Sequence, residues 1–142
     1  MYLLDTNVCV NLLRANSATV VARLAQVGVT ACAISEITEA ELRVGAETSQ
    51  RPVYQHALID QLIEAFTILS VAPAIRIYAR ECARLQTTGQ LIDNFDLLIG
   101  ATAIVNGLTM VTNNTRHFQR LPLPALEDWT QAPDIGENPN VA

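Results

Sequence analysis

Three acidic residues far apart in the chain, Asp5, Glu41 and Asp96, each interrupt an apolar pattern. Asp5 ends the run Tyr2-Leu3-Leu4. Glu41 falls within the stripe Ile34, Ile37, Glu41, Val44, whose spacing by three and four reserves that place for an apolar side chain. Asp96 stands in the first turn of Phe95-Asp96-Leu97-Leu98-Ile99-Gly100-Ala101-Thr102-Ala103, a helix apolar nearly all round. A carboxylate turned inward must be paired, hydrogen-bonded or metal-bound. Neutral oxygen donors follow at Thr112, Asn113 and Asn114, and no His or Cys stands at ligand spacing. That donor set suits a hard octahedral cation, Mg²⁺ or Mn²⁺. Such an ion activates water and neutralises a phosphodiester, so the reaction class is phosphodiester hydrolysis, with one ion or two.

Each acid also has a structural reading. Asp5 is a cap candidate for the helix through Val8 to Leu13, together with Thr6 and Asn7. Glu41 would be a side chain snorkelling at the rim of the core. Asp96 is welcome at the positive end of a helix macrodipole. Asp93, three residues earlier, is either the N-cap or a further acid at the mouth of the site, and the cap is the reading favoured here. Asn113 also suits a plain turn.

The elements that must position these groups alternate. A strand at Tyr2–Leu4 leads into the first helix, and Ala18 to Val27 repeats apolar residues at helical spacing until Gly28. A second strand is expected over Val29 to Ile34, then a helix from Glu36 to Glu47 capped by Ser35, and another from Pro52 to Phe66. Thr67 to Val71 reads as a strand, Pro73 opens a helix to Thr87, and the most apolar helix runs from Asn94 to Asn106, stopped by Gly107. Leu108 to Thr112 is a further strand, and Ala125 to Trp129 a last, edge strand. Strands alternating with helices at this spacing predict an α/β fold with a mostly parallel sheet of four to five strands, covered by helices on both faces. Ligands in such folds gather at the carboxyl ends of the strands, where Asp5 and Thr112 would lie. Residues 1–129 form one domain. Residues 130–142, rich in Pro, Asn and acids, are expected to be a disordered tail.

Composition removes several alternatives. All nine basic residues are arginine, so no mechanism that needs a lysine is available. A net charge of −5 argues against charge-driven nucleic-acid binding over the whole surface, though not against local basic patches. Only 16% of residues are charged, which leaves apolar surface suited to a partner or a dimer. Cys9, Cys32 and Cys82 are widely spaced among apolar neighbours and read as buried thiols of a reducing compartment. No signal peptide or membrane span is apparent, so a cytoplasmic location and no membrane partner are expected.

With these residues in view the chain resembles the PIN-domain nucleases, and within them the VapC-type toxins of bacterial type II toxin–antitoxin pairs. The resemblance spans roughly Tyr2 to Trp129. It rests on Leu4-Asp5-Thr6-Asn7, on Ala40-Glu41-Leu42-Arg43-Val44-Gly45-Ala46-Glu47, on Phe95-Asp96-Leu97-Leu98-Ile99-Gly100-Ala101, and on Val111-Thr112-Asn113-Asn114-Thr115-Arg116-His117-Phe118 with Leu126-Glu127-Asp128-Trp129. It implies a single PIN-like domain and a metal-dependent endoribonuclease in which Asp5, Glu41 and Asp96 hold the ion, with Thr6 and Thr112 supporting them by hydrogen bonds. It further implies a homodimer silenced by a small antitoxin whose tail occupies the acidic groove, with DNA contacted only through that antitoxin. Many PIN domains carry a fourth acid where this chain has Asn114, which puts a fixed second metal in doubt unless Asp93 supplies the charge.

Substrate contacts fall to Arg14, Arg116 and His117, the last as an RNA contact or a structural residue. Arg76, Arg80 and Arg84 lie four apart and make either a phosphate-tracking stripe or a solvated face. The competing reading is a degenerate PIN-like module that binds RNA or a protein partner without cleavage, and Asn114 is the feature that favours it.

Overall fold

Strand β1 (Tyr2–Leu4) is the middle of a five-stranded sheet whose other members are β2 (Cys32–Ser35), β3 (Thr67–Leu69), β4 (Thr109–Val111) and β5 (Ala125–Glu127). The strand order is β3-β2-β1-β4-β5, and every pairing is parallel. This is a computed structural model that describes residues 1–132; the expected disordered tail lies, from residue 133 on, outside the described residues. Leu3 sits opposite Ala33 and Met110, and Leu4 opposite Val111.

Successive residues of a strand point to opposite faces, and the core divides accordingly. Leu4, Cys32, Ile34 and Val111 join one cluster with Val8, Val20, Leu42, Ile59 and Leu62. Those residues come from α1 (Thr6–Arg14), α2 (Ala18–Val27), α3 (Glu36–Glu47) and α4 (Pro52–Ala65). Leu3, Ala33 and Met110 join the other cluster with Leu85, Leu97, Ile99 and Phe118, from α5 (Ile75–Thr87), α6 (Asn94–Asn106) and α7 (Thr115–Phe118). Helices therefore cover both faces, as the alternating pattern predicts.

Several boundaries differ from the sequence expectation. The second strand starts at Cys32, because Val29–Ala31 winds into a 3₁₀ turn directly after Gly28, whose φ is 85°. Pro73 lies in another 3₁₀ turn, Ala72–Ala74, and α5 opens only at Ile75. The strands at Thr67 and Thr109 are three residues each and stop short of the apolar runs that contain them. Helix α7 was not anticipated; four residues carry too little periodicity to be read.

Gly100 is the place where α6 is closely approached. A Cβ there would run into Leu121 Cδ1 and touch the Phe118 ring, so its missing side chain lets the α7 segment close over α6. Gly107 ends α6 in the left-handed conformation, its N–H donating to Ala103 O and Ile104 O.

Candidate active site

Asp5 is 2% exposed and leaves β1 at the point where the sheet order reverses, between β2 on one side and β4 on the other. Its backbone N–H donates to Val111 O at 2.9 Å, extending the ladder by one residue, and its carbonyl accepts from Val8 and Cys9 to start α1. The carboxylate is held twice. Oδ1 accepts from the Thr6 N–H at 2.8 Å, and Oδ2 accepts from the Thr112 hydroxyl at 2.8 Å. Cap and site are thus the same residue. Burial pushes this carboxyl above the usual range, against the lowering effect of both donors.

Glu41 reaches the same edge from α3. The Thr6 hydroxyl donates to Glu41 Oε1 at 2.7 Å and lies 3.1 Å from the Thr38 hydroxyl, so Thr6 ties the start of α1 to the inner side of α3. The stripe of α3 that is truly buried is Thr38, Leu42 and Ala46, whereas Val44 is 63% exposed. The expected stripe through Val44 is therefore rotated: Leu42 and Ala46 pack against α1 and α4, and Glu41 stands half-buried at the border of the apolar face. Its carboxyl is raised, chiefly by burial, with Asp5 and Asp93 adding to the effect against the Thr6 hydrogen bond.

Asp96 enters from the opposite side of the sheet, one turn into α6. Asp93 is the N-cap of that helix, as favoured from the sequence, its Oδ1 accepting from the Phe95 N–H at 2.9 Å and from the Asp96 N–H at 3.4 Å. A helix N-terminus favours the charged carboxylate. Asp96 is nevertheless pushed up to about 6, first by burial and then by the charges of Asp5, Asp93 and Glu41. The crowd of like charges outweighs the dipole.

The remaining donors lie just past β4. Thr112 is fully buried, and besides donating to Asp5 its oxygen accepts from the Asn114 N–H at 3.0 Å. The Asn114 side-chain amide lies 3.0 Å from His117 Nδ1. Asn113 is exposed, in keeping with a turn, and Arg116 is exposed beside His117. Arg14 lines a cleft of about 520 Å³ whose walls also include Thr6, Glu41, Val10, Leu13, Leu58 and Ile59. A larger cleft of about 670 Å³ between Arg23 and Trp129 contains none of the three acids.

The arginine stripe of α5 is not part of this arrangement. Arg84 is engaged by the buried Glu81, at 2.6 Å, and by the carbonyl of Arg120; Arg80 lies 3.6 Å from the same Glu81. Thr38, which meets the Thr6 hydroxyl, is not singled out by the sequence because it lies off the stripe of Ile34, Ile37, Glu41 and Val44.

The arrangement joins two buried or half-buried carboxylates on hydroxyl supports with a third that all the others repel. Among the described residues none of the salt bridges involves Asp5, Glu41 or Asp96. Nor do three His, Cys, Asp or Glu side chains there stand close enough to form a ready-made metal shell. The donors fit a hard cation that keeps several waters, since such an ion needs only one or two carboxylates directly. They do not fit a closed structural site.

Residues 2–123 match the family model described as PIN domain. The chain is 34% identical over 129 residues to Ribonuclease VapC2 of Haemophilus influenzae, covering 90% of this chain and 97% of that protein. It is 34% identical over 130 residues to the tRNA(fMet)-specific endonuclease VapC of Shigella flexneri, covering 91% and 98%. Among solved structures it is similar to VapBC2 from Rickettsia felis bound to a DNA fragment from their promoter, with a TM-score of 0.82 and 32% identity over 90% of this chain and 98% of that one.

Proposed function

The chain belongs to the PIN domain family, and on that premise we propose that it is a Mg²⁺- or Mn²⁺-dependent endoribonuclease, the toxin of a toxin–antitoxin pair. The observation that carries this reading is that all three carboxyls are raised, with the charges of Asp5 and Glu41 both acting on Asp96, while none of the three forms a salt bridge among the described residues. The relatives named as ribonucleases and tRNA-specific endonucleases support the reaction and the substrate class.

A divalent ion, which Asp5, Glu41 and Asp96 would hold, would supply water activation and charge neutralisation at the scissile phosphate. The chain does the positioning. Thr112 and the Thr6 N–H fix both oxygens of Asp5, and the Thr6 hydroxyl aims Glu41, so the carboxylates are oriented before substrate arrives. Burial of Asp5, at 2% exposure, holds its carboxylate in place on these donors.

The partner is a small antitoxin, and the chain acts as a dimer in that complex. VapBC assemblies among the similar structures support the antitoxin partner, as does the apolar cleft lined by Thr6 and Glu41. Free thiols at all three cysteines and the absence, among the described residues, of a helix able to cross a membrane suit a cytoplasmic site of action. The non-cleaving alternative rests on Asn114, whose amide cannot replace a carboxylate.

Cleavage of a labelled total-RNA pool by the purified, antitoxin-free protein tests the reading. Discrete products with Mg²⁺ or Mn²⁺ that vanish with chelator and in Asp96→Asn are expected. A folded protein that cuts no RNA with either metal, transfer RNA included, would establish the binding module instead.

A further inference from the structure

Asn114 occupies the N-cap position of α7, yet its side chain makes no capping hydrogen bond. Asparagine is favoured at N-caps because its side-chain oxygen accepts from the second or third N–H of the helix. Here the side chain turns instead to His117, with Nδ2 3.0 Å from the ring Nδ1. With the amide NH₂, a donor only, facing the ring, Nδ1 is the acceptor, and a ring that carries one proton carries it on Nε2. Among the described residues Nε2 makes no hydrogen bond, and no buried side-chain nitrogen or oxygen lacks a partner. Nε2 of the half-buried ring therefore opens to solvent.

The pair is anchored to the acidic site by a continuous chain of bonds. The Asn114 N–H donates to Thr112 Oγ1 at 3.0 Å, and the Thr112 hydroxyl donates to Asp5 Oδ2 at 2.8 Å. The same hydroxyl that orients Asp5 thus fixes the backbone from which the imidazole is held.

We propose that Asn114 locks His117 as the Nε2–H tautomer, so that the imidazole presents a fixed hydrogen-bond donor to an RNA phosphate oxygen at the rim of the acidic site. The inference rests on the nuclease reading only for the identity of its ligand; the tautomer stands apart from it.

The test is two-bond ¹H–¹⁵N correlation of the histidine rings in the full-length, metal-free protein. His56 is an internal standard, because the Arg43 guanidinium donates to its Nδ1 and Glu47 accepts at its Nε2. The His117 pattern is expected to match the Nε2–H pattern of His56 and to change to Nδ1–H in Asn114→Asp, whose carboxylate only accepts. An averaged or Nδ1–H pattern in the wild type overturns the lock.

RNA binding completes the test, measured for a transfer-RNA pool with Asp96→Asn as a non-cleaving background. His117→Ala is expected to weaken it about tenfold, the worth of one hydrogen bond to a charged group, and His117→Gln, whose amide nitrogen replaces Nε2, to restore most of the loss. Unchanged binding in His117→Ala overturns the phosphate role. Failure of the nuclease reading shows separately, as wild-type protein that leaves RNA uncut.

Discussion

The Thr112 hydroxyl donates to Asp5 Oδ2 at 2.8 Å across 107 residues of chain, and both groups are buried. This bond joins the ends of the two strands that flank the reversal of sheet order. It fixes the carboxylate on which the rest of the site is built.

Thr112→Val keeps the shape and removes that donor. One oxygen of a buried carboxylate then has no partner, at a cost of about 1–3 kcal/mol in stability. Mn²⁺ affinity should fall about 10- to 100-fold, as for loss of a group that orients a metal ligand. Calorimetric titration and a thermal melt measure both effects.

Asp96→Asn removes one charge from a cluster of like charges. In chelator the variant should therefore melt a few degrees above the wild type, although its cleavage of RNA falls by about a hundredfold or more. A residue serving only as a helix-start charge would give the opposite sign on stability.

The pH dependence follows from the raised carboxyls. Asp96 titrates at about 6 in the folded chain against 3.8 in the unfolded one, so between these values the folded state holds a proton that the unfolded state has released. Stability of the metal-free protein falls as pH rises through that window, and Asp5 and Glu41, raised likewise, act in the same direction. Saturating Mn²⁺ should reverse the trend, because the ion binds only the deprotonated carboxylates. Melting curves from pH 4 to 7, with and without metal, read the two slopes.

Glu81→Gln probes the fold without touching the site. Glu81 is 4% exposed and its partner Arg84 is at 2.6 Å. Losing the charge destabilises by roughly 1–3 kcal/mol, below the figure for a fully buried pair because Arg84 is half exposed. Mn²⁺ affinity should stay within about twofold of the wild type.

Much of this arrangement was legible in the sequence because it rests on local rules. Asp5 and Asp96 break apolar runs, Ser35 and Asp93 carry the composition of caps, and Gly28 and Gly107 stop their helices. What was not legible depends on neighbours distant in sequence. The rotation of α3 that exposes Val44 is set by packing of Leu42 and Ala46 on α1 and α4. The closure of Leu121 over Gly100 joins residues from separate elements and leaves no local signal. Strand lengths were overestimated because an apolar run continues into loops that are buried but not paired, as at Leu108. The Asn114–His117 bond needs three-dimensional placement, since in the sequence Asn114 stands only as a neutral oxygen donor.

The central claim is that Asp5, Glu41 and Asp96 together hold a divalent cation. Isothermal titration of Mn²⁺ into the metal-free, antitoxin-free protein, repeated on Asp5→Asn, Glu41→Gln and Asp96→Asn with folding checked by circular dichroism, tests it most directly. Saturable binding by the wild type that is lost in Asp5→Asn and Asp96→Asn and weakened in Glu41→Gln is the predicted result. Binding that survives all three substitutions, or no binding by the folded wild type, would contradict it.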